Sequence, residues 1–104
     1  MILKFNIAYT PESLQEIIHI VEWYNNASKG LGSRFRKNLL AEIAAIKQNP
    51  LTRSFRYDNV RFAVVNKFPY AAHYTVDEQT GLIIIQAVLG FSQNDKENWK
   101  VRKQ

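Results

Sequence analysis

Basic and aromatic side chains are interleaved in one stretch of the chain, between residues 53 and 74. The basic members are Arg53, Arg56, Arg61 and Lys67, and the aromatic members are Phe55, Tyr57, Phe62, Tyr70 and Tyr74. Arginine clamps phosphate through its planar guanidinium group, and aromatic rings stack on nucleobases. The mixture predicts a surface that contacts nucleic acid or another target through its four basic residues. The alternative is that the rings belong to the core, as aromatic residues in strands commonly do.

Three residues in the same stretch are candidates for catalysis, although no complete catalytic arrangement is evident: Arg61, His73 and Tyr74. A histidine can shuttle a proton or bind phosphate, and an arginine supplies positive charge. Because His73 and Tyr74 are adjacent, a strand directs them to opposite faces. If Tyr74 faces the core, His73 faces the open side; the alternative is that His73 is a partly exposed surface histidine.

The residue types and their spacing do not support metal, nucleotide-cofactor or serine and cysteine nucleophile chemistry. The chain has no cysteine, and its two histidines, His19 and His73, form no metal-ligand spacing with Asp or Glu. Its four glycines match neither standard nucleotide-binding loop, and its serines form no nucleophile elbow. We therefore expect no metal site and no cofactor.

Charge is distributed unevenly along the chain. The 104 residues have a formal net charge of +5, whereas residues 29–67 contain nine basic and two acidic residues, a local charge of +7. Clustered positive charge steers acidic partners and phosphate backbones toward a surface. The sequence thus predicts an acidic protein partner, a nucleic acid, or both. The alternative is a solvated face that only keeps the protein in solution.

The periodicity of apolar residues predicts the elements that position these side chains. Alternation over residues 3–9 predicts a first strand. Thr10-Pro11-Glu12 then provides an N-cap, a proline in the first turn and an acidic residue, which predicts a helix over residues 11–24. After a polar loop at 25–30, a second helical periodicity runs to Asn49-Pro50, which ends it. Two helices joined this way form an antiparallel hairpin.

From residue 55 onward the periodicity falls to two. Strands are predicted over residues 60–65, 70–76 and 82–89, and the last, apolar on both faces, should lie inside the sheet. We expect an α+β fold in a single domain over residues 1–104, in which an N-terminal strand and a β-meander form one sheet packed on the helical hairpin. Residues 94–104 are predicted to form a short C-terminal helix or tail, anchored by Trp99.

Arg61 alternates with Phe62 and Val64 along its predicted strand. If these apolar neighbours face the core, Arg61 projects from the side of the sheet that the helices leave open. An unpaired buried arginine is costly, so we expect Arg61 to reach solvent or to pair with a carboxylate.

An ordered set of short motifs runs through nearly the whole chain. It consists of Leu31-Gly32-Ser33-Arg34-Phe35, Asn49-Pro50, Val60-Arg61, Phe68-Pro69-Tyr70, Tyr74, Trp99 and Arg102. In this order, and with the β-αα-βββ arrangement, the motifs resemble those of the RelE/ParE toxin superfamily, in particular the plasmid stabilisation branch. The resemblance implies a bacterial toxin of a type II toxin–antitoxin module, which inhibits growth until a cognate antitoxin with an initially disordered tail neutralises it.

The resemblance implies one of two targets. RelE-like members cleave mRNA in the ribosome, whereas ParE-like members inhibit DNA gyrase without known cleavage chemistry. RelE-like nucleases commonly have arginine after the tyrosine that Tyr70 matches, and histidine and arginine after the last strand. Ala71, Gly90 and Gln93 stand at these positions here. Whether the chain is an enzyme is left open, and the ParE-like interpretation is favoured. A RelE-like ribonuclease with a rearranged site and a decayed toxin that retains only binding are the alternatives.

The sequence also predicts the cellular location and the partners of the protein. No apolar run approaches the ~20 residues of a membrane helix, and the first residues lack the pattern of an export signal. We expect a cytoplasmic protein without membrane contact. Its expected partners are a cognate antitoxin and, as target, DNA gyrase or the ribosome with its mRNA. A homodimer and a toxin–antitoxin hetero-oligomer are both compatible with the sequence.

Overall fold

The computed structural model describes residues 4–91 and has the predicted α+β architecture. Its elements are β1 (Asn6–Tyr9), α1 (Pro11–Ala27), α2 (Leu31–Gln48), β2 (Phe55–Tyr57), β3 (Val60–Val64), β4 (Tyr70–Asp77) and β5 (Leu82–Gly90). The prediction of a terminal helix or tail over residues 94–104 falls outside the described residues. Among those described, no helix is both long and apolar enough to cross a membrane.

The five strands form one mixed sheet in the order β1-β5-β4-β3-β2. Strands β2 to β5 pair antiparallel as a meander, whereas β1 pairs parallel with β5. Strand β5 lies between β1 and β4, so its predicted interior position is confirmed. The edge strand β2 was not predicted separately from β3, since three residues are too few to show an alternation.

Local interactions set the start of the helical hairpin. The Thr10 hydroxyl oxygen accepts a hydrogen bond from the Ser13 N–H at 3.1 Å, and Pro11 occupies the first turn, where its missing N–H costs nothing. The first helix therefore begins as predicted.

The turn of the hairpin is shorter than predicted. Helix α1 continues to Ala27, three residues beyond the expected end. The Asn25 side chain accepts a hydrogen bond from the Gly32 N–H at 2.8 Å, so this asparagine joins the two helices instead of opening a loop. A Cβ atom on Gly32 would lie 2.1 Å from the Val21 carbonyl oxygen. Glycine is thus required for the close approach of α2 to α1.

The core lies between the helical hairpin and one face of the sheet. Its buried members are Ile20, Phe35, Leu39, Ile43, Ile46, Ala63, Val65, Phe68, Ala72, Tyr74, Ile83, Ile85 and Val88. The fully buried Phe35 ring makes edge contacts with Phe68 and Tyr70, at centroid distances of 5.2 and 5.4 Å. The core thus covers one face of the sheet, which we call the helix-covered face; the opposite one is the open face.

Candidate functional site

Strand pairing assigns residues to the open face, because directly opposed residues share a face. Phe62 pairs with His73, and Ala71 pairs with Leu89. Ala72, between His73 and Ala71 in sequence, belongs to the core on the helix-covered face. His73 therefore lies on the open face, as its alternation with Tyr74 predicts.

His73 is nevertheless buried, at 3% exposure, so the alternative of a partly exposed surface histidine is wrong. Its imidazole stacks on the Tyr57 ring, with centroids 5.8 Å apart and 28° between the planes. The His73 Nδ1 lies 3.1 Å from the Tyr57 Oη. A hydroxyl at this distance can exchange a proton with an imidazole. Sequence analysis gave Tyr57 no catalytic role, since nothing local links it to a histidine sixteen positions away.

Beside His73 the open face contains a concave pocket of about 210 Å³, called here the open-face pocket. Its lining residues are Arg56, Phe62, Val64, Ala71, His73, Leu89, Gly90 and Phe91. The exposed Arg56 places its guanidinium carbon 5.5 Å from the centroid of the Phe62 ring, a cation–π arrangement. The pocket therefore offers mainly apolar walls with positive charge at its rim.

Arg61 lies on the helix-covered face, so its predicted place on the open face is wrong. It is opposed by Phe55 on one side and by the buried Tyr74 on the other. Its Nη1 donates to the carbonyl oxygens of Leu51 at 3.1 Å and Arg53 at 2.6 Å. The guanidinium carbon lies 4.0 Å from the centroid of the Phe55 ring. Main-chain carbonyls, rather than a carboxylate, are therefore the partners of this arginine.

The error on Arg61 came from its apolar neighbours. Phe62 and Val64 were expected in the core, but both line the open-face pocket. Ala63, a much smaller residue, is the β3 member that packs in the core. Apolar residues on both faces of β3 gave no indication of which face the helices cover.

Two other predicted site residues lie near Arg61. Tyr74 is fully buried, as its predicted core position requires, and its Oη donates to the Pro50 carbonyl oxygen at 3.1 Å. Burial raises the pKa of Tyr74 above its usual value, and the guanidinium groups of Arg61 and Arg53 partly oppose this shift. Arg53 forms a salt bridge with Glu42 on α2. These contacts hold the connection between α2 and β2 against the core.

Lys67 occupies a third location, the turn between β3 and β4, where it is exposed and adopts a positive φ of 69°. The four predicted contact residues are thus separated. Arg56 borders the open-face pocket, Lys67 lies in a turn, and Arg53 and Arg61 lie toward the helix-covered face. Of the catalytic candidates, only His73 is on the open face.

Within residues 4–91, no three His, Asp or Glu side chains lie close enough together to hold a metal ion. His19 is exposed on α1.

Neither a protein-family model nor a curated protein matches the chain. Solved structures do match its fold. A chain from the chromosomal ParDE TA system of P. aeruginosa matches with a TM-score of 0.74 and 12% sequence identity, covering 86% of this chain and 98% of that one. The isolated E. coli RelE toxin matches with a TM-score of 0.64 and 14% identity, covering 95% and 97%. Likeness at this level of identity concerns the fold, and the predicted RelE/ParE fold is confirmed.

Proposed function

We propose that this chain, which has the fold of the RelE/ParE toxin superfamily, is the toxin of a type II toxin–antitoxin module. The observation that carries the proposal is the fold match over 98% of a chain from a toxin–antitoxin system. The proposal implies a cognate antitoxin as partner and growth arrest when the chain is expressed without it.

Exposed apolar side chains on the helical hairpin support an antitoxin partner. Leu14 and Ile18, one turn apart on α1, are 45% and 50% exposed, and Leu40 on α2 is 39% exposed. Apolar side chains left in solvent on a helix suit an amphipathic segment of a partner protein. The local charge of +7 over residues 29–67 favours a partner that is also acidic.

Inhibition by binding, with DNA gyrase as the target, is the proposed activity. RNA cleavage by the predicted residues would require Arg61, His73 and Tyr74 to surround one phosphate. Arg61 and Tyr74 instead donate to main-chain carbonyls on the helix-covered face, and His73 lies on the open face. The sheet itself separates them, which supports a toxin without this cleavage site.

The lining of the open-face pocket supports the same conclusion. Ala71 and Gly90, which replace residues expected in RelE-like nucleases, both line this pocket. Where such a nuclease would have a cationic side chain that binds phosphate, small residues without charge line this pocket. Gln93, the third replaced position, lies outside the described residues.

A ribosome-dependent ribonuclease is the second candidate function, and one observation favours it. The Tyr57 Oη lies 3.1 Å from the His73 Nδ1, and Arg56 borders the pocket beside them. A nuclease built on this chain would use these three residues in place of Arg61 and Tyr74.

The proposed function is tested by expression of the chain alone and together with the product of the neighbouring reading frame. We expect growth arrest that the neighbouring product relieves, together with loss of supercoiling by purified gyrase and intact mRNA on translating ribosomes. Cleavage of mRNA that Tyr57→Phe or His73→Ala abolishes would assign the second function. Expression without growth arrest would indicate a decayed toxin and contradict both.

A further inference from the structure

A second cavity, of about 520 Å³, lies between α1 and the adjoining ends of β4 and β5, and is called here the α1 pocket. Its lining residues are Gln15, Glu16, His19, Ile20, Tyr70 and Val88. It shares no lining residue with the open-face pocket. Because Ile20 and Val88 belong to the core, the α1 pocket lies on the helix-covered side of the sheet. A carboxylate, an imidazole and a phenol thus meet away from the candidate functional site.

The end of β1 explains why the Glu16 carboxylate lies at this pocket. Strand β1 stops at Tyr9, and after it the Thr10 hydroxyl donates to the Gln86 carbonyl oxygen at 3.1 Å. Two residues further along β5, the Val88 N–H donates to the Glu16 Oε1 at 3.0 Å. A side chain of α1 therefore takes the place of a neighbouring strand on this part of β5, and this contact fixes the position of the carboxylate.

The charge of Glu16 is not required by the contact with β5. The amide oxygen of a glutamine would accept the Val88 N–H equally well. The two oxygens of a carboxylate accept about four hydrogen bonds in all, so Glu16 has acceptor capacity beyond the bond to Val88. None of the described residues that line the pocket is lysine or arginine. A positively charged donor is therefore the ligand that this carboxylate favours.

The charge of the surrounding helix has the same sign. Residues 5–28 contain three acidic residues, Glu12, Glu16 and Glu22, and neither lysine nor arginine, which gives a local charge of −3. Residues 29–67, in contrast, have a local charge of +7. Glu12 and Glu16 are four positions apart, so they are neighbours on one side of α1. The charges of α1 therefore attract cations, although the whole chain is basic.

Apolar and aromatic groups form the other walls of the α1 pocket. Ile20 and Val88 are buried aliphatic residues, against which the hydrocarbon stem of a long basic group can pack. The half-buried Tyr70 ring is held at 71° to the Phe35 ring, with centroids 5.4 Å apart. An aromatic ring attracts a cation, and a guanidinium group also stacks on it. These walls fit an organic cation with an aliphatic chain.

A metal ion fits the pocket less well. Of the His, Asp and Glu side chains, only Glu16 and His19 line it, and residues 4–91 contain no group of three that could hold a metal ion. One water molecule takes up about 30 Å³ in the liquid, so a single ion would leave most of the 520 Å³ to solvent. The Gln15 amide oxygen and, in its neutral form, the His19 imidazole are further acceptors for a ligand with several N–H groups.

We propose that the α1 pocket binds an alkylguanidinium group, with the Glu16 carboxylate as its charged acceptor and the Tyr70 ring beside it. Such a group occurs on the arginine side chains of proteins and on free metabolites that resemble arginine. The site goes beyond the proposed function and does not depend on it, because none of its residues lines the open-face pocket.

The experiment titrates the isotope-labelled full-length protein with N-acetyl-arginine amide and follows the Val88 amide resonance by NMR. We expect a saturable shift of this resonance, because the Val88 N–H donates to the carboxylate that the guanidinium contacts. The matching citrulline compound has nearly the same shape and no charge. It should bind about tenfold more weakly.

Two variants and a matched control test the residues of the pocket. Glu16→Gln keeps an acceptor for Val88 and removes the charge, so the variant should fold and bind N-acetyl-arginine amide about tenfold more weakly. His19→Lys, at an exposed lining position, should weaken binding at least as much through like-charge repulsion. Glu78→Gln removes the same charge in the exposed turn between β4 and β5, at the opposite end of these strands, and should leave the affinity unchanged. Melting curves verify that each variant is folded.

A capped peptide in which leucines flank the arginine identifies the source of the ligand. Leu14 and Ile18, two exposed apolar residues of α1, are sequence neighbours of the lining residues Gln15 and His19. Binding of the peptide that is tighter than that of N-acetyl-arginine amide, and that Leu14→Ala weakens, would assign the pocket to an arginine of a protein partner. Tighter binding of agmatine, the decarboxylated form of arginine, than of the peptide would assign it to a free metabolite.

Three results would overturn the proposal. These are no saturable binding of N-acetyl-arginine amide, equal binding of the citrulline compound, and unchanged affinity of folded Glu16→Gln protein. If the chain arrests growth but does not bind the arginine compound, only this inference fails. If the compound binds and expression causes no growth arrest, the proposed function fails while the α1 pocket remains a cation site.

Discussion

The two faces of the sheet use similar polar side chains in different ways. On the helix-covered face, Arg61 and Tyr74 donate to main-chain carbonyls of the connection between α2 and β2, so their polar groups hold the fold together. On the open face, Arg56 and His73 line a pocket, and His73 lies beside Tyr57. An arginine and a tyrosine occur in both places. The face on which they lie, rather than their chemical type, separates structural residues from candidates for target binding.

The largest loss of stability is expected for a substitution in the core that covers the helix-covered face. Phe35→Ala should lower the free energy of unfolding by about 4 kcal/mol, because it removes a fully buried ring and leaves a cavity. Phe62→Ala, the matched change on the open face, should lower it by about 1 kcal/mol, since that ring is only partly buried. Urea unfolding of both variants measures the difference. Equal losses would mean that the open face is packed as tightly as the core.

The next effect concerns Arg61. Arg61→Ala should lower the free energy of unfolding by about 2 kcal/mol, because two carbonyl oxygens lose a charged donor. Under the proposed function, growth arrest should then decrease only as far as the loss of folded protein explains. Melting curves and growth curves of the same variant test this. A fully stable Arg61→Ala protein that no longer arrests growth would indicate that Arg61 contacts the target.

A smaller difference in stability is expected between the phenylalanine substitutions of Tyr74 and Tyr57. Tyr74→Phe should cost about 1 kcal/mol, since the buried Pro50 carbonyl oxygen loses its hydrogen-bond donor. Tyr57→Phe keeps the ring stacked on His73 and should change the free energy of unfolding by about 0.5 kcal/mol or less. Chemical denaturation of the pair is the measurement. A larger loss for Tyr57→Phe would show that the open-face hydroxyl has the greater structural role.

The smallest effect on stability is expected at Arg56, which is exposed at the rim of the open-face pocket. Arg56→Gln should change the free energy of unfolding by no more than about 0.5 kcal/mol. It should nevertheless reduce growth arrest strongly if the pocket contacts the target. Lys67→Gln, a matched loss of charge in the β3–β4 turn, is the control. Equal toxicity of wild type and Arg56→Gln would remove the pocket from the target-binding surface.

Apart from the short strand β2, the sequence alone determined the order of the elements, because the signals for them are local. Thr10 and Pro11 define the start of α1 through a side-chain cap and a fixed φ. Proline at position 50 ends the second helical periodicity, and the apolar character of both faces of β5 indicates an interior strand. The concentration of positive charge in residues 29–67 is likewise a property of the sequence.

Tertiary structure alone decided which residues meet at the site. The alternation in β3 defines two faces, but the helices that cover one of them are distant in sequence, so Arg61 was assigned to the wrong face. The Tyr57–His73 pair depends on the irregular pairing of β2 with β3 and on the pairing of β3 with β4. Periodicity reports the environment of one element at a time, whereas a functional site is defined by contacts between elements, which only packing of the whole chain determines.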